Sequence, residues 1–448
     1  MLTADDLQQL AREALVHARN LGASQCAVHL GCDKGLQLRV RLGKPEQLEH
    51  HNSHSGAVEV YRGKAKASVR TNQLEATSLR EAVENAFAAA AHSQEDDCAG
   101  LADPHDWAHE FRELDTYHPY QLTPEEALRL ATACEENALA TDKRLVNSEG
   151  AECSGGETLD CLALYSSDSA DIFNQIERGS SFSLGCALIG QGRDQQQVGY
   201  WFDSAIDFAR LQTPEAIGAK AARNTLEKLD ARSIGSGRFP VVLDAQMARG
   251  FWRMLSSGIS GGALYRKATI LYDKLDTSLF PSWLSIREEP HLPGYQGSGN
   301  YDSEGVATRP KALVEGGVLT SYLLDSYSAR KLNRRTTGNA GGTSNLLLDG
   351  PQKNLEALLD DMNTGLIVRE TMGHGLNLIT GDYSVGASGH WVEKGEIVHP
   401  VQVVTISGNL LEMFANLAAL GEDIDTRFAL RTGSLLLGEM RLGGSESQ

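Results

Sequence analysis

The chain has 448 residues, of which 41% are hydrophobic and 22% are charged, a balance typical of folded proteins that excludes disorder as the default interpretation. Its 41 Lys and Arg residues are outnumbered by 59 Asp and Glu residues, and the formal charge of −18 disfavours nucleic acid and anionic membrane surfaces as partners. No apolar run reaches the ~18 residues of a membrane helix, and the first residues, MLTADDLQQL, are acidic where a signal peptide is basic, so we expect a cytoplasmic protein.

Cysteine usage argues against both a disulfide framework and a cysteine-rich metal site. The cysteines are odd in number, scattered and never spaced as CxxC, which favours reduced and mostly buried thiols. All of them precede residue 187, so the second half has no thiolate to offer a metal. They are Cys26, Cys32, Cys98, Cys134, Cys153, Cys161 and Cys186.

The first segment is predicted to contain a helix, several strands and a second helix. Thr3 and Asp6 frame the first helix start, and Ser78 with Glu81 forms an expected capping box before an alanine-rich run. Between these helices, LQLRVRLG and AVEVYRGKAKASVRT alternate apolar and polar residues. Such alternation is typical of half-buried antiparallel strands.

Residues 93–121 lose this periodicity and are predicted to form an extended surface connection. The region combines many acidic residues with His105, His109 and His118, and His92 directly precedes it. A solvated loop and a His-rich metal site are the two interpretations of this composition, and we favour the loop.

A second group of helices and strands follows the connection. Thr123 and Pro124 start a helix, because proline fits the first turn, where its missing N–H costs nothing. Strands are expected from about residue 145 to 207, and TPEAIGAKAARNTLEKL is predicted as the next helix.

The flexible stretch SIGSGR marks the predicted domain boundary. After it, FPVVLDAQMARGFWRMLSSG is predicted as a buried strand leading into a helix capped by Asp244, and short glycine-punctuated strands dominate the rest. Strands and helices are segregated, with no βαβ alternation. We therefore predict a two-domain α+β protein, with an N-terminal domain over residues 1–232 and a strand-rich C-terminal domain over residues 233–448.

No self-contained catalytic motif emerges from the sequence. Neither GxxxxGK[ST] nor GxGxxG between a strand and a helix occurs, so nucleotide binding has no support. VRETMGHGLN, residues 368–377, approaches the zinc sequence HExxxH, because Glu370 and His374 keep the spacing while Arg369 occupies the first His position. A disabled zinc helix and a coincidence are the two interpretations.

Four long blocks of the second half resemble the PmbA (TldE) branch of the TldD/PmbA family, in the same order and spacing. They are YDSEGVATRPKALVEGGVLTSYLLDSYSARKL (301–332), TGNAGGTSNLLL (337–348), GLNLITGDYSVGASGHWVEKGEIVHPV (375–401) and ISGNLLEMF (406–414). The resemblance extends over essentially the whole chain. It implies a bacterial cytoplasmic protein of two-domain α+β fold, which forms a heterodimer with a TldD-type subunit to make a zinc-dependent peptidase for unfolded peptides.

In this family the TldD-type chain binds zinc through HExxxH at a strand-to-helix junction and through a cysteine near the carboxy terminus. The matching junction here places Asp244, Ala245 and Arg249 at the positions of the first His, the Glu and the second His. Arg431 and Thr432 lie where the cysteine would be. Because Ala245 cannot act as a base and Arg249 would repel zinc, the resemblance implies no catalytic residue, metal or cofactor in this chain, with zinc in the partner alone.

The HExxxH-like sequence at residues 368–377 is therefore interpreted as a coincidence. It lies far downstream of the junction that matches the zinc helix, and its glycines disfavour a regular helix. The glycine-rich strand block around it suggests a substrate channel that binds peptide as an added strand. Glycines that merely turn a hairpin inside the core are the equal alternative. The channel candidates are His374, Gly375, Asn377, Asp382 and Gly386.

We interpret the chain as a non-catalytic subunit of a TldD/PmbA zinc metallopeptidase complex. This interpretation explains why the chain has the family's glycine-rich blocks but lacks the zinc ligands of the TldD-type chain. The resemblance suggests maturation of modified peptide antibiotics and turnover of antitoxins as its processes. One alternative is a self-sufficient metallopeptidase, a homo-oligomer with a metal on His374, His390 and His399. The other is a regulatory protein-binding module of the DNA gyrase modulator type. We expect a homodimer for the chain without its partner.

Overall fold

The computed structural model describes residues 2–444. The elements of the first half, in chain order, are α1 (Ala4–Asn20), β1 (Gln25–Arg41), β2 (Lys44–Arg62), β3 (Ala65–Thr71), α2 (Ala76–Ala90), α3 (Pro124–Ala140), β4 (Leu145–Ser166), β5 (Phe173–Gln191), β6 (Gln196–Ala205) and α4 (Pro214–Leu226).

These strands form one six-stranded antiparallel sheet, in the order β3-β2-β1-β4-β5-β6. Alternate residues of β1 face the helices: Cys26, Val28 and Leu30 pack in one core with α1 and α2. Leu36 and Leu38 pack in a second core with α3 and α4. The period-two burial follows from the alternating sequence, and the two helix pairs cover the two ends of the same long strands.

Two helix starts in this half are confirmed as predicted. Thr3 caps α1, and its Oγ1 accepts the Asp6 N–H at 3.2 Å in a complete capping box. Thr123 caps α3, with Pro124 in the first turn. In both cases the cap satisfies an amide that has no partner inside the helix.

The predicted capping box of Ser78 and Glu81 is wrong. The helix α2 begins at Ala76, so Ser78 lies inside it, and the Ser78 hydroxyl donates to Gln73 Oε1 instead. The helix extends backward past the expected cap, because alanine favours helix strongly.

The connection 93–121 is partly buried, which corrects the expectation of a surface segment. Leu101, Ala102 and Trp107 pack against the sheet face opposite the helices, together with Val306 of the second half. Its regular structure includes a 3-10 turn at Pro104–Asp106. Because these apolar residues are sparse and follow no helix or strand period, the sequence pattern did not reveal their burial.

The second half is richer in short strands. Its elements are β7 (Gly237–Leu243), α5 (Ala245–Gly258), α6 (Gly261–Tyr265), β8 (Ser285–Glu288), β9 (Lys311–Glu315), β10 (Val318–Leu319), α7 (Ser326–Lys331), β11 (Leu346–Asp349), β12 (Gln352–Lys353), α8 (Leu355–Met362), β13 (Gly365–Met372), β14 (Asp382–Glu393), β15 (Glu396–Asn409), α9 (Leu410–Ala415), β16 (Leu417–Gly421), β17 (Leu430–Arg431) and β18 (Leu435–Gly443).

A seven-stranded sheet in the order β12-β16-β18-β15-β14-β13-β7 dominates this half, and β18 also pairs with β7. The strands β7, β13, β14, β15 and β18 therefore close into a ring. Val241 and Leu243 of β7 face the main core, whereas Val242 faces α8 on the other side. A smaller sheet, β10-β9-β8-β11-β17, contributes to the same main core.

The helix α5 packs into the main core with the face that its sequence predicts. Ala248, Phe251, Trp252 and Leu255 are all buried, at the spacing of one helical face. The segregated helices and strands confirm the α+β class, while the domain boundary at residue 233 stays a prediction. In the part of the chain that the structure covers, no helix has the length and apolar character needed to span a bilayer.

Candidate functional site: a charged cleft between the two halves

A cleft of about 820 Å³, here called the central cleft, lies between the two halves of the chain. One wall comes from β6 and α4, and the other from the β7–α5 junction, β13 and β14. The junction that the sequence singled out therefore faces this cleft. Its lining includes Trp201, Lys220, Asp244, Ala245, Arg369, Glu370, His390 and Arg427.

Asp244 occupies the N-cap of α5 with both carboxylate oxygens engaged. Its Oδ1 accepts the Met247 N–H at 2.9 Å, and its Oδ2 lies 3.5 Å from Arg369 Nη1. Burial raises the pKa of Asp244, and the Met247 N–H and Arg369 partly offset that effect. Of the two oxygens that could have served a metal, one caps the helix and the other faces a cation.

Arg249 lies further along α5 and stacks on an aromatic ring. Its guanidinium carbon is 3.3 Å from the centroid of the Phe428 ring, a cation–π contact. Burial lowers the pKa of Arg249. A cation at the position of the second His repels Zn²⁺, and the methyl group of Ala245 cannot take a proton from water.

The position of the expected cysteine also lies against α5. Trp252 Nε1 donates to Thr432 Oγ1 at 3.1 Å, and the Arg431 guanidinium lies 3.6 Å from the centroid of the Tyr295 ring. The fold thus gathers both regions of the family's zinc motif around one helix. Their donor set does not fit zinc, because an engaged carboxylate, guanidinium groups, a methyl and a hydroxyl replace imidazoles and thiolate.

His390 lies on β14 at the wall of the cleft and is only 6% exposed. Its Nε2 donates to the Glu227 carbonyl oxygen at 3.0 Å. Burial lowers the pKa of His390 in spite of this hydrogen bond, and the charge of Arg369 lowers it further. The ring is therefore neutral near pH 7, with its proton on Nε2 and a buried lone pair on Nδ1 that has no partner among residues 2–444.

One ion pair and one hydrogen bond connect the two walls of the central cleft. Lys228, just beyond α4, pairs with Glu370 of β13. Arg427 pairs with Asp425 at 2.8 Å, and its Nη1 donates to the Phe202 carbonyl oxygen at 2.7 Å. Because both members of the Arg427–Asp425 pair are buried, this contact fixes the floor of the cleft.

Three of the predicted channel residues lie exposed around the loop before β14: His374, Asn377 and Asp382. Asn377 Oδ1 accepts the Ile379 N–H at 3.0 Å, and Asp382 Oδ2 accepts the Thr380 hydroxyl at 2.8 Å. Asn377 and Asp382 therefore fix the geometry of this loop.

The two predicted channel glycines have no free strand edge beside them. Gly386 lies within β14, opposite Met372 of β13 and Thr405 of β15. Gly375 O accepts the Ser384 N–H at 2.8 Å, which pairs the start of β14 with the preceding loop. An added strand here would have to displace a native one, so the channel stays a prediction that rests on the exposed side chains.

VRETMGHGLN forms the end of β13 and the following turn, and is not a zinc helix. Glu370 lines the central cleft, whereas His374 lies exposed beyond the strand. A strand and turn do not place Glu370 and His374 on one helical face, as HExxxH requires.

The three histidines of the self-sufficient peptidase hypothesis do not converge. His399 Nδ1 faces the Pro400 carbonyl oxygen at 3.0 Å, and His390 Nε2 donates to the Glu227 carbonyl oxygen just beyond α4. Over the described range 2–444, one group of three potential ligands comes within 4.8 Å, and it consists of Asp103, His105 and Asp106 in the 93–121 connection. That group is largely exposed and distant in sequence from the predicted histidines.

Sequence reasoning missed Lys220 as a cleft residue and did not assign Arg369 to a site. Lys220 projects from α4, with Nζ 5.4 Å from the Trp201 ring centroid, and Arg369 comes from β13. No motif connects a helix of the first half to a strand of the second. Lys220 lies in the middle of a predicted helix, so no local signal marked it as a cleft residue.

Family models match most of the chain. They describe PmbA/TldA metallopeptidase domain 1 at residues 33–90, the central domain at residues 117–229 and the C-terminal domain at residues 236–444.

Individual proteins match over nearly the full length. Metalloprotease PmbA of Escherichia coli O157:H7 is 37% identical over 417 residues, covering 92% of this chain and 90% of that protein. A crystal structure from Bacteroides thetaiotaomicron, described as a proposed modulator of DNA gyrase, matches with a TM-score of 0.91 at 26% identity over 99% of this chain and 100% of that one. TldE from Thermococcus kodakarensis matches with a TM-score of 0.82 over 98% and 100% of the two chains; at 17% identity, this likeness shows the fold alone.

Proposed function

Since this chain belongs to the PmbA/TldD metallopeptidase family, we propose that it is the non-catalytic subunit of a heterodimeric zinc peptidase. A TldD-type chain holds the zinc and performs hydrolysis, while this chain completes the peptide-binding surface. The complex acts in the cytoplasm on unfolded peptides, in the maturation of modified peptide antibiotics or in antitoxin turnover.

One observation carries this proposal: the junction between β7 and α5 has the wrong chemistry for zinc. Asp244 is engaged with Met247 and Arg369, and Arg249 brings a second guanidinium to the same helix. A metal-bound water would also lack a base, because Ala245 replaces the glutamate. This chain therefore resembles relatives that are named metalloproteases, but the chemistry of its own β7–α5 junction does not support hydrolysis.

The central cleft supports a role in holding peptides. Its volume of about 820 Å³ falls within the range of about 300–1,000 Å³ common for ligand sites. Tyr200, Met372 and Val403 line it and are 45%, 50% and 56% exposed. Apolar side chains beside charged groups suit peptides of varied sequence.

The alternatives have weaker support. No group of three potential ligands in the described residues includes His374, His390 or His399, which disfavours a self-sufficient metallopeptidase. A regulatory module of the gyrase-modulator type rests on the description of the Bacteroides structure, and with a net charge of −18 it would contact protein and not DNA.

Reconstitution with a TldD-type chain tests the proposal. The two chains are purified separately and together, and the cleavage of an unstructured peptide is measured. We expect stable association and cleavage by the mixture, with no cleavage by this chain alone. The matched control is a TldD-type chain whose HExxxH glutamate is changed to glutamine, which should associate normally and cleave nothing.

Other outcomes distinguish the alternatives. Cleavage by this chain alone would support a self-sufficient enzyme. Failure to associate with a TldD-type chain, together with binding to gyrase, would support the regulatory module and contradict the proposed function.

A further inference from the structure

The central cleft contains a group of polar atoms that match one end of a peptide. We propose that Lys220 and Arg369 form a carboxylate-binding site, which holds a carboxylate of a peptide while His390 accepts a neighbouring peptide N–H. This inference rests on the proposed function, because that function supplies the peptide.

Lys220 and Arg369 line the same cleft as Asp244, and of the two cations only Arg369 forms an ion pair with that carboxylate. Arg369 Nη1 is 3.5 Å from Asp244 Oδ2, longer than the ~2.7–2.9 Å of a charge-assisted hydrogen bond. Burial and the charge of Arg369 lower the pKa of Lys220, whereas Glu227 and Asp244 raise it and Arg223 lowers it. Glu227 and Arg223 are exposed and opposite in sign. Of the other cleft carboxylates, Glu370 pairs with Lys228 and Asp425 pairs with Arg427, while Asp423 accepts hydrogen bonds from Ser434. Lys220 therefore has no carboxylate partner of its own among the described residues.

The two cations also have hydrogen-bond donors to spare. Arg369 Nε is buried without a hydrogen-bond partner in the described chain. Lys220 Nζ forms no ion pair with any of residues 2–444. It lies over the Trp201 ring, 5.4 Å from the ring centroid, in a cation–π contact. A buried donor without a partner is costly. A carboxylate with two oxygens would satisfy the guanidinium edge and the ammonium together.

His390 adds an acceptor beside these donors. Its Nε2 proton is committed to the Glu227 carbonyl oxygen, so Nδ1 presents a lone pair, buried and without a partner among the described residues. Arg369 is near enough for its charge to lower the pKa of His390. A bare imidazole nitrogen would repel a carboxylate oxygen but accepts an N–H well. The last residue of a peptide offers a carboxylate and an N–H a short distance apart.

Peptide binding to the purified chain without its partner tests this site. Three probes are compared by calorimetry: a short N-acetylated peptide of uncharged residues with a free carboxylate, the same peptide as its amide, and the amide with glutamate as last residue. We expect the free acid to bind about tenfold or more tightly than the neutral amide, as a charge-assisted hydrogen bond implies. If the glutamate amide binds as tightly as the free acid, the site accepts a side-chain carboxylate. If the glutamate amide binds more weakly, the site is specific for the carboxylate of the peptide terminus.

Variants connect that preference to the two cations. Arg369→Gln and Lys220→Met should each reduce the preference for acid over amide towards equality. Lys220 is half-buried in the middle of α4 and caps no helix, so we expect Lys220→Met to fold. This variant therefore tests the site even if Arg369→Gln folds poorly. Matched controls are Arg238→Gln and Lys44→Met, which alter exposed residues outside the central cleft and should leave the preference unchanged.

Equal affinities for acid and amide, including no measurable binding of either, would overturn the carboxylate site. So would a preference that survives in both cleft variants. A chain that shows no preference yet supports cleavage with a TldD-type subunit overturns this inference alone. A chain that shows the preference but neither associates nor supports cleavage overturns the proposed function alone.

Discussion

Asp244 joins two tasks in one side chain, because one oxygen caps α5 and the other faces Arg369. The cap could be predicted from the sequence, since it depends on neighbours a few residues away, whereas the replaced zinc positions are what the family resemblance implies. Lys220 and His390 could not be assigned to the same site. Their proximity depends on how a helix of the first half meets the sheet of the second, which no local pattern encodes.

Substitutions at Asp244 separate its two tasks. Asp244→Ala removes the cap and leaves Arg369 without its carboxylate, so we expect the free energy of unfolding to fall by about 1–3 kcal/mol in urea titration. Asp244→Asn keeps an N-cap acceptor and loses only the charge, so its loss should be smaller. Equal losses in the two variants would contradict the capping role.

His390 should make the protein sensitive to mild acid. Burial lowers the pKa of His390 in the folded chain below the ordinary 6.5. At a pH between the folded and the unfolded pKa, the unfolded chain therefore binds more protons than the folded chain. Stability is then fully present above the unfolded pKa and is lost as the pH falls below it. The histidines His29 and His291, whose pKa values burial also lowers, act in the same direction.

Comparison with a variant isolates the contribution of His390. In His390→Gln, the fall in unfolding free energy from about pH 7 to 5 should be shallower than in the parent protein. The exposed His105→Gln is the control and should follow the parent curve. Parallel curves for the parent and His390→Gln would show that His390 does not titrate as described.

At the scale of elements, local signals predicted α1, α3 and the buried face of α5. They did not predict that β18 pairs with both β15 and β7 to close the ring. That closure joins the end of the chain to the start of its second half, and its register is set by side-chain packing across the ring. The 93–121 connection was mistaken for a surface segment because Leu101 and Trp107 stand isolated among polar residues.

Asp302 should prove essential for joining two loops of the second half. Its Oδ1 accepts the N–H groups of Glu304 and Val306 at 2.9 and 3.0 Å, and its Oδ2 accepts the Ala340 N–H at 2.9 Å. Asp302→Asn turns a donor towards one of these amides, so urea titration should show a loss of about 1–3 kcal/mol. The exposed Asp194→Asn is the matched control, and equal stability of both variants would argue against the account.

At the scale of the whole molecule, side chains of α7 fasten the 93–121 connection to the second half. Arg330 donates to the carbonyl oxygens of Cys98 at 3.1 Å, Gly100 at 2.9 Å and Leu101. Tyr327 donates to Asp96 Oδ2 at 2.7 Å. These contacts position the first half against the second and thereby define the central cleft between them.

Loss of Arg330 should loosen this attachment. In Arg330→Ala we expect faster amide hydrogen exchange over residues 93–121 and a stability loss of about 1.5–3 kcal/mol, because hydrogen bonds to a charged donor are lost. The exposed Arg335→Ala, on the loop that follows α7, is the control. Unchanged exchange in Arg330→Ala would mean that other contacts hold the connection in place.

The most direct test of the central claim, that the zinc belongs to the partner, is the zinc content of the purified chain and of its complex. Elemental analysis should find far less than stoichiometric zinc in this chain alone and stoichiometric zinc once a TldD-type chain is bound. The exposed group of Asp103, His105 and Asp106 could bind zinc adventitiously, so His105→Gln is measured in parallel. Stoichiometric, tightly held zinc in the isolated chain, retained in His105→Gln, would contradict the account.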